Sequence, residues 1–396
     1  MTEKLYYTSP KTFEWQTELV RCTVIDGRKA VILKESAFYP EGGGQPSDIG
    51  TIADIPVLDL IEEENELYHI VPEYPKDKLV NCGLDGDRRI DHMQHHSGQH
   101  LLSAVCLELF GYETESFHLG ADTVTIDLNT PHLSEDQMTE IENKANHYIF
   151  ENRKIRTFFA GADDLKNLPL RKVPQIDGPL RIVQIDGIDT SACCGTHTAG
   201  TGEIGQMKLI KTEKQKGRIR LHFKCGFRAF SEFQEAHKLV KHTARFFQSS
   251  QAEIPERLRS IEQEMKQLHK ELEFLKAENA LLLAEKMNND QPGKMAAVLK
   301  ERSSLKDLQF LAAAFHESGK DIVLLGSKGE HAVLFSQKNS IHAGHTIREC
   351  LKAFSGKGGG SENQAQAKLA DSNETESFFR AMKEQIIQAS EDRPLN

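Results

Sequence analysis

The chain has 396 residues, with 49 Lys and Arg against 59 Asp and Glu and a formal net charge of −10, long enough for two or three domains. Hydrophobic residues make up 38% and charged residues 27%, an ordinary balance for a soluble protein, and no apolar run approaches the ~18 residues of a membrane span. The opening Met1-Thr2-Glu3-Lys4-Leu5 lacks the apolar core of a signal peptide, and seven scattered cysteines argue against a disulfide framework and for a reducing, cytoplasmic setting.

Residues 1–90 alternate short β-rich runs with turns, which predicts a small β-barrel domain. Residues 19–25 and 30–33 flank Asp26-Gly27 as a hairpin, and 51–60 and 67–71 read as further strands. Between them lies Phe38-Tyr39-Pro40-Glu41-Gly42-Gly43-Gly44-Gln45-Pro46-Ser47-Asp48. No Gly-Lys-Ser/Thr follows the glycines, so this is not a phosphate loop. Without Cβ atoms it can pass close to a ligand, with Phe38 and Tyr39 as a pocket wall.

Residues 91–240 read as an α+β core. Asp91 and Gln94 predict a helix start, Leu101, Leu102, Val105 and Leu109 follow at helical spacing, and Gly111 is its stop. His96 and His100 lie one turn apart on one face, able to converge on an ion. His92 shares that face, so spacing does not choose the pair. Strands are predicted at 123–128 and 180–185, with a helix from the capping box at Ser134 to about residue 152. His118 either faces the histidines or simply ends a strand. The strand at 180–185 leads into Cys193-Cys194-Gly195-Thr196-His197, where a thiolate and an imidazole sit four apart. Two nitrogens from one element with sulfur and nitrogen from another suit Zn²⁺; spacing to His197 favours Cys193 over Cys194. A strip with Lys208, Lys211, Lys214, Lys216, Arg218, Arg220, Lys224 and Arg228 holds the single acid Glu213. It either tracks a phosphate backbone or is a solvated strand face.

Residues 241–290 are predicted to be a helical, coiled-coil segment. Ile254, Leu258, Ile261, Met265, Leu268, Leu272, Leu275, Asn279 and Leu282 alternate steps of four and three, the seam of a heptad repeat, with Asn279 placed to fix register. The seam buries either against a second copy, as a homodimer, or against residues 231–250. Residues 295–396 read as a small α/β domain with strands at 321–326 and 331–335, a helix from 343, and a glycine loop at 355–361 carrying Lys357.

Four stretches in order carry a resemblance. The segment at 38–48, His96-x-x-x-His100 with Leu101-Leu102, Cys193-x-x-x-His197, and Thr201-Gly202-Glu203-Ile204-Gly205 resemble the editing domain of alanyl-tRNA synthetase and its freestanding relatives, the AlaX proteins, over roughly residues 1–240. The glycine loop with Gln364-Ala365-Gln366-Ala367 is similar to the DHHA1 domain, which follows that core through a coiled coil in the long AlaX proteins. The family's Cys-Gly-Gly-Thr-His reads Cys-Cys-Gly-Thr-His here, so Cys194 stands where a glycine is expected.

The resemblance implies one zinc ion per chain on His96, His100, Cys193 and His197. It implies a hydroxyl at Ser36, usually threonine in the family, that helps select the substrate. It also implies that the DHHA1-like domain binds the outer corner of tRNA, where Lys357 and the backbone of Gly358, Gly359 and Gly360 are placed to hold a phosphate or ribose; Arg218 and Arg220 are expected tRNA contacts on the charge of the basic strip alone. The activity it implies is hydrolysis of mischarged tRNA-Ala, releasing serine or glycine. Four protein ligands leave no room for water, so the ion sheds a ligand, anchors the substrate's amino group, or is structural. A non-catalytic, zinc-stabilised tRNA-binding module uses the same ligands. A metal-dependent phosphoesterase is disfavoured, because only Asp91-His92 is similar to the DHH motif and its upstream aspartate clusters are missing. No aminoacylation domain is expected.

Overall fold

Short β-rich runs separated by turns through residues 14–84 form one seven-stranded sheet in the computed structural model. The model describes residues 2–64, 66–172, 178–338 and 341–391. The strand order is Ile55–Val57, Gly50–Ile52, Leu79–Leu84, Glu14–Ile25, Arg28–Leu33, Glu66–Ile70, Asp59–Glu63. The two end strands are joined through Leu58 alone, so the sheet nearly closes into the expected barrel. Glu14–Ile25 pairs with Leu79–Leu84 through its first half and with Arg28–Leu33 through its second, with a register shift between Leu19 and Arg21. Such a bulge bends one strand to serve both halves of a curved sheet. The single strand expected at 51–60 is instead three short ones. Ala53 and Asp54 both take positive φ, at 50° and 63°, and turn the chain back on itself.

The barrel core holds Tyr6, Val31, Leu33, Phe38, Ile52, Leu67 and Val80. Phe38 and Tyr39, expected to wall a pocket, are buried core residues, and Phe38 meets Trp15 edge-on at 5.3 Å. Beside Phe38 lies a polar pair with no exposure. His69 Nδ1 donates to Val31 O at 3.0 Å, so its Nε2 accepts from Ser36 Oγ at 2.8 Å. Burial pushes the His69 imidazole down to about 4. The unfolded chain takes up this proton below about pH 6.5, and the folded chain does so only near 4. The stabilisation is therefore complete above 6.5 and lost as pH falls toward 4, by about 3 kcal/mol in all. Urea unfolding from pH 7 to 4.5 is expected to show a shallower loss for His69→Gln than for wild type; parallel slopes would refute the assignment.

The rest of the first unit, Met1–His242, surrounds the helix Gly86–Phe110. Its start differs from expectation. Asp85, not Asp91, is the cap and accepts from Arg88 N at 3.0 Å. Asp91 lies one turn inside the helix, where Arg228 Nε donates to its carboxylate at 2.7 Å. The histidines therefore sit mid-helix. Gly111 ends the helix with φ 68°. Against the helix pack a four-stranded antiparallel sheet, in the order Thr114–Leu119, Val124–Leu128, Arg218–Cys225, Met207–Gln215, and the helix Glu135–Phe150 with its Ser134–Gln137 capping box. Leu101, Leu102, Val105, Ile126, Ile141, Leu221 and Phe223 fill the space between them. A three-stranded sheet, Ile155–Ala160, Leu180–Ile185, Asp189–Ala192, carries the chain to Cys193.

The second unit, Thr243–Asn396, contains the helix Ile254–Asn288. None of its predicted seam side chains is fully buried, and the helix packs through a neighbouring face instead. Ala280 and Ala284 are buried with Leu308, Leu311 and Phe315 of the helix Leu305–Glu317. Leu258, Met265, Leu268, Leu272 and Leu275 stay half-exposed or more. The five-stranded sheet runs Met295–Lys300, Ile322–Ser327, Ala332–Gln337, Gln364–Leu369, Gly356–Gly360. The expected glycine loop is thus an edge strand. A Cβ at Gly358 would lie 2.6 Å from Gln366 O, so only glycine permits this close pairing. Among the described residues no helix is long and apolar enough to cross a membrane.

Candidate metal centre

Four of the predicted side chains meet at one point. The ligating atoms of His96, His100, Cys193 and His197 all lie within 4.8 Å of one another. Cys193 Sγ is 3.3 Å from His96 Nε2 and 3.4 Å from His197 Nε2. Zn–S and Zn–N bonds of the usual lengths give tetrahedral edges of about 3.5 Å, so the set is of a size to close on one ion. His92, on the same helix face, is not part of the cluster; its Nδ1 is buried without a hydrogen-bond partner among the described residues.

The outer nitrogens explain why the inner ones point inward. His96 Nδ1 donates to Gln45 Oε1 at 2.9 Å and His100 Nδ1 to Asp189 Oδ2 at 3.1 Å. His197 Nδ1 meets Ser97 Oγ at 3.2 Å, and that oxygen also accepts from Thr198 N at 3.0 Å. With Nδ1 occupied, each ring offers its Nε2 lone pair to the centre, the tautomer a metal-binding histidine needs. Burial pushes the Asp189 carboxyl up, but hydrogen bonding from His100 and the charge of Arg171 outweigh it and hold it at about 2. Burial likewise pushes the Cys193 thiol up, yet the neighbouring imidazoles hold it well below its usual range, which favours the thiolate.

The glycine triplet serves this arrangement indirectly. Gly43 and Gly44 take φ of 57° and 83°, and Gly42 and Gln45 exchange backbone hydrogen bonds of 3.0 Å across the turn. The turn delivers Gln45. Besides accepting from His96, Gln45 Oε1 accepts from Thr196 N at 3.1 Å, and its Nε2 donates to Thr196 Oγ1 at 2.9 Å. One carboxamide therefore ties the helix motif to the cysteine-bearing turn. On that turn a Cβ at Gly195 would sit 2.2 Å from His96 Cε1, whereas Cys194 is exposed. A side chain is tolerated at position 194 and not at position 195. Gly195→Ala is expected to displace the His96 ring and weaken zinc binding by roughly 10- to 100-fold, read by chelator competition. Unchanged affinity would mean that the turn gives way without cost.

Other predicted residues lie elsewhere. Ser36 is sealed in the barrel core, its hydroxyl held by His69. His118 is exposed, and its neighbour Phe117 lies tilted against His96 at 5.2 Å between ring centres. The basic strip is largely a row of ion pairs. Arg218 holds Glu115 at 2.5 Å, Arg220 holds Asp127 at 2.7 Å, and Lys208, Lys224 and Arg228 hold Glu142, Glu232 and Asp91. Among the described residues Lys214 and Lys216 carry no ion pair. In the second unit Lys357, Gly358 and Gly359 border a cavity of about 350 Å³ with Gln366 and Lys368. Sequence reading did not mark Ser97, Gln45 or Asp189 as site residues. Ser97 and Gln45 lie inside motifs already singled out, whereas Asp189 carries no spacing signal.

Comparison with known proteins matches the same regions. Residues 180–222 match the domain family described as threonyl and alanyl tRNA synthetase second additional domain, and residues 283–388 match the DHHA1 domain. The chain is 30% identical to alanyl-tRNA editing protein AlaX-L of Pyrococcus horikoshii over 389 residues, covering 93% of this chain and 95% of that one. It is 32% identical to alanyl-tRNA editing protein Aarsd1-B of Xenopus laevis over 302 residues, 74% of this chain and 72% of that one. It is also 32% identical to alanine–tRNA ligase of Methanobrevibacter smithii over 381 residues; that match covers 91% of this chain but spans only 42% of the ligase.

Proposed function

Because the chain belongs to the family of alanyl-tRNA editing proteins, we propose that it hydrolyses the ester of mischarged tRNA-Ala in trans, releasing serine or glycine. The observation that carries this reading is the convergence of His96, His100, Cys193 and His197, each imidazole oriented by its own outer partner. A zinc ion held there would supply a Lewis acid beside the ester. This chain's own residues do the remaining work: Asp189, Gln45 and Ser97 fix the ligand rings. Lys357 and the glycine strand of the second unit are proposed to hold the tRNA backbone, and the uncovered seam of the long helix to pair with a second copy.

The test is release of serine from Ser-tRNA-Ala by purified protein, with metal content measured on the same sample and His100→Ala as control. Wild type is expected to carry one zinc per chain and to release serine well above the spontaneous rate, and His100→Ala to do neither. Tight tRNA-Ala binding by a zinc-loaded protein that releases nothing would sink the hydrolase reading in favour of a non-catalytic binding module.

A further inference from the structure

A cavity of about 470 Å³ opens against His197, walled in part by Tyr7, Lys11, Thr157 and Arg181. That is a size suited to a small organic ligand. Although the chain carries 59 Asp and Glu residues, none lines this cavity, and two cations do. Lys11 is exposed at the rim and already holds Glu203 at 2.8 Å. Arg181 is different: it is 5% exposed and has no carboxylate partner among the described residues. The fully buried Arg89, by contrast, clasps Asp48.

Arg181 is only half used. Its Nη1 donates to Cys193 O at 2.9 Å and Gly195 O at 2.8 Å, and its guanidinium lies 4.8 Å above the Tyr7 ring. Its other N–H groups have no partner among the described residues, and none is sealed from solvent. Burial disfavours its charge, and the main group opposing that is the Cys193 sulfur, whose charge a bound cation would cancel. A buried cation kept without a counter-charge is costly, and facing a cavity beside a reaction centre it is a prepared seat for an anion.

We propose that Arg181 is the anion-holding residue of this site, receiving an oxyanion of the aminoacyl nucleotide on its free N–H groups. The oxyanion has two sources: the 5′-phosphate of the terminal nucleotide, or the carbonyl oxygen of the ester as it is attacked. In the second, water adds to the carbonyl carbon and the π electrons move onto oxygen. Collapse then breaks the bond to the ribose oxygen, which leaves as the hydroxyl carrying the proton given up by the attacking water. The proposal rests on the deacylase reading above.

Zinc-loaded wild type, Arg181→Lys and Arg181→Gln are compared on Ser-tRNA-Ala and on seryl esters of adenosine and of adenosine 5′-phosphate. Arg181→Gln is expected to keep one zinc per chain and to lose roughly 30-fold or more in kcat/KM on the tRNA, with Arg181→Lys in between. If the phosphate is the ligand, wild type prefers the phosphorylated ester by about tenfold and Arg181→Gln does not. If the carbonyl oxygen is the ligand, Arg181→Gln loses kcat equally on both esters. Wild-type rates in metal-replete Arg181→Gln overturn the proposal. So does loss of zinc from both variants, which would make Arg181 only a strut for the turn. Should wild type cleave no ester, the deacylase reading fails first. Calorimetry with adenosine 5′-phosphate and adenosine then decides: a wild-type preference for the phosphate that Arg181→Gln lacks sustains the proposal, and equal binding ends it.

Discussion

Cys193→Ser is expected to lower zinc affinity about a thousandfold and to abolish release of serine from Ser-tRNA-Ala. The thiolate is the one charged donor of the four and lies between two imidazoles, 3.3 and 3.4 Å from their Nε2 atoms. A serine hydroxyl there stays protonated near neutral pH and is a poor zinc donor. Four-ligand sites bind zinc with roughly 10–16 kcal/mol, so a thousandfold loss corresponds to about one ligand's share. Cys194→Ser is the matched control, because Cys194 is exposed and lies outside the cluster; it is expected to keep one zinc per chain. Both are read by metal content after dialysis and by chelator competition. If Cys193→Ser keeps its zinc while Cys194→Ser loses it, the ligand has been assigned to the wrong cysteine.

The second large effect is on stability. Arg89→Leu is expected to destabilise the first unit by about 3–5 kcal/mol, since it strands a buried carboxylate. Arg89 has no exposure and Asp48 is 2% exposed. The guanidinium donates to both Asp48 oxygens, to Pro10 O at 2.7 Å and to Ala37 O at 2.5 Å. It therefore joins the first turns of the histidine helix to two segments of the barrel at once. Arg89→Leu with Asp48→Leu is expected to recover part of the loss, because the orphaned charge goes with its partner. Urea unfolding of the single and double variants measures this, and a double variant no better than the single would mean that the carbonyl contacts dominate.

The four clustered side chains were legible in the sequence because their chemistry is local: two histidines one helical turn apart, and a cysteine and a histidine across one tight turn. Their supports were not, because Gln45 and Asp189 reach them from 51 and 89 residues away. The helix start was misplaced because Asp85 and Asp91 each stand three residues before an N–H they could cap, and only tertiary pairing with Arg228 claims Asp91. The break at Ala53-Asp54 lacks the glycine or asparagine that advertises a turn. The basic strip looked uncompensated because Glu115, Asp127 and Glu142 come from other elements, and a count along the chain cannot see them. The glycine stretch carried the opposite error, since its composition reads as a loop although bare backbone is also what a tightly paired edge strand requires.

The carboxamide of Gln45 has a consequence for anyone who would borrow this centre. The helix and the cysteine turn, grafted together onto another scaffold, would bring every donor atom but leave behind the clamp that holds them in step. What looks like a portable four-residue cassette is a joint of three parts, and the third is supplied by the barrel.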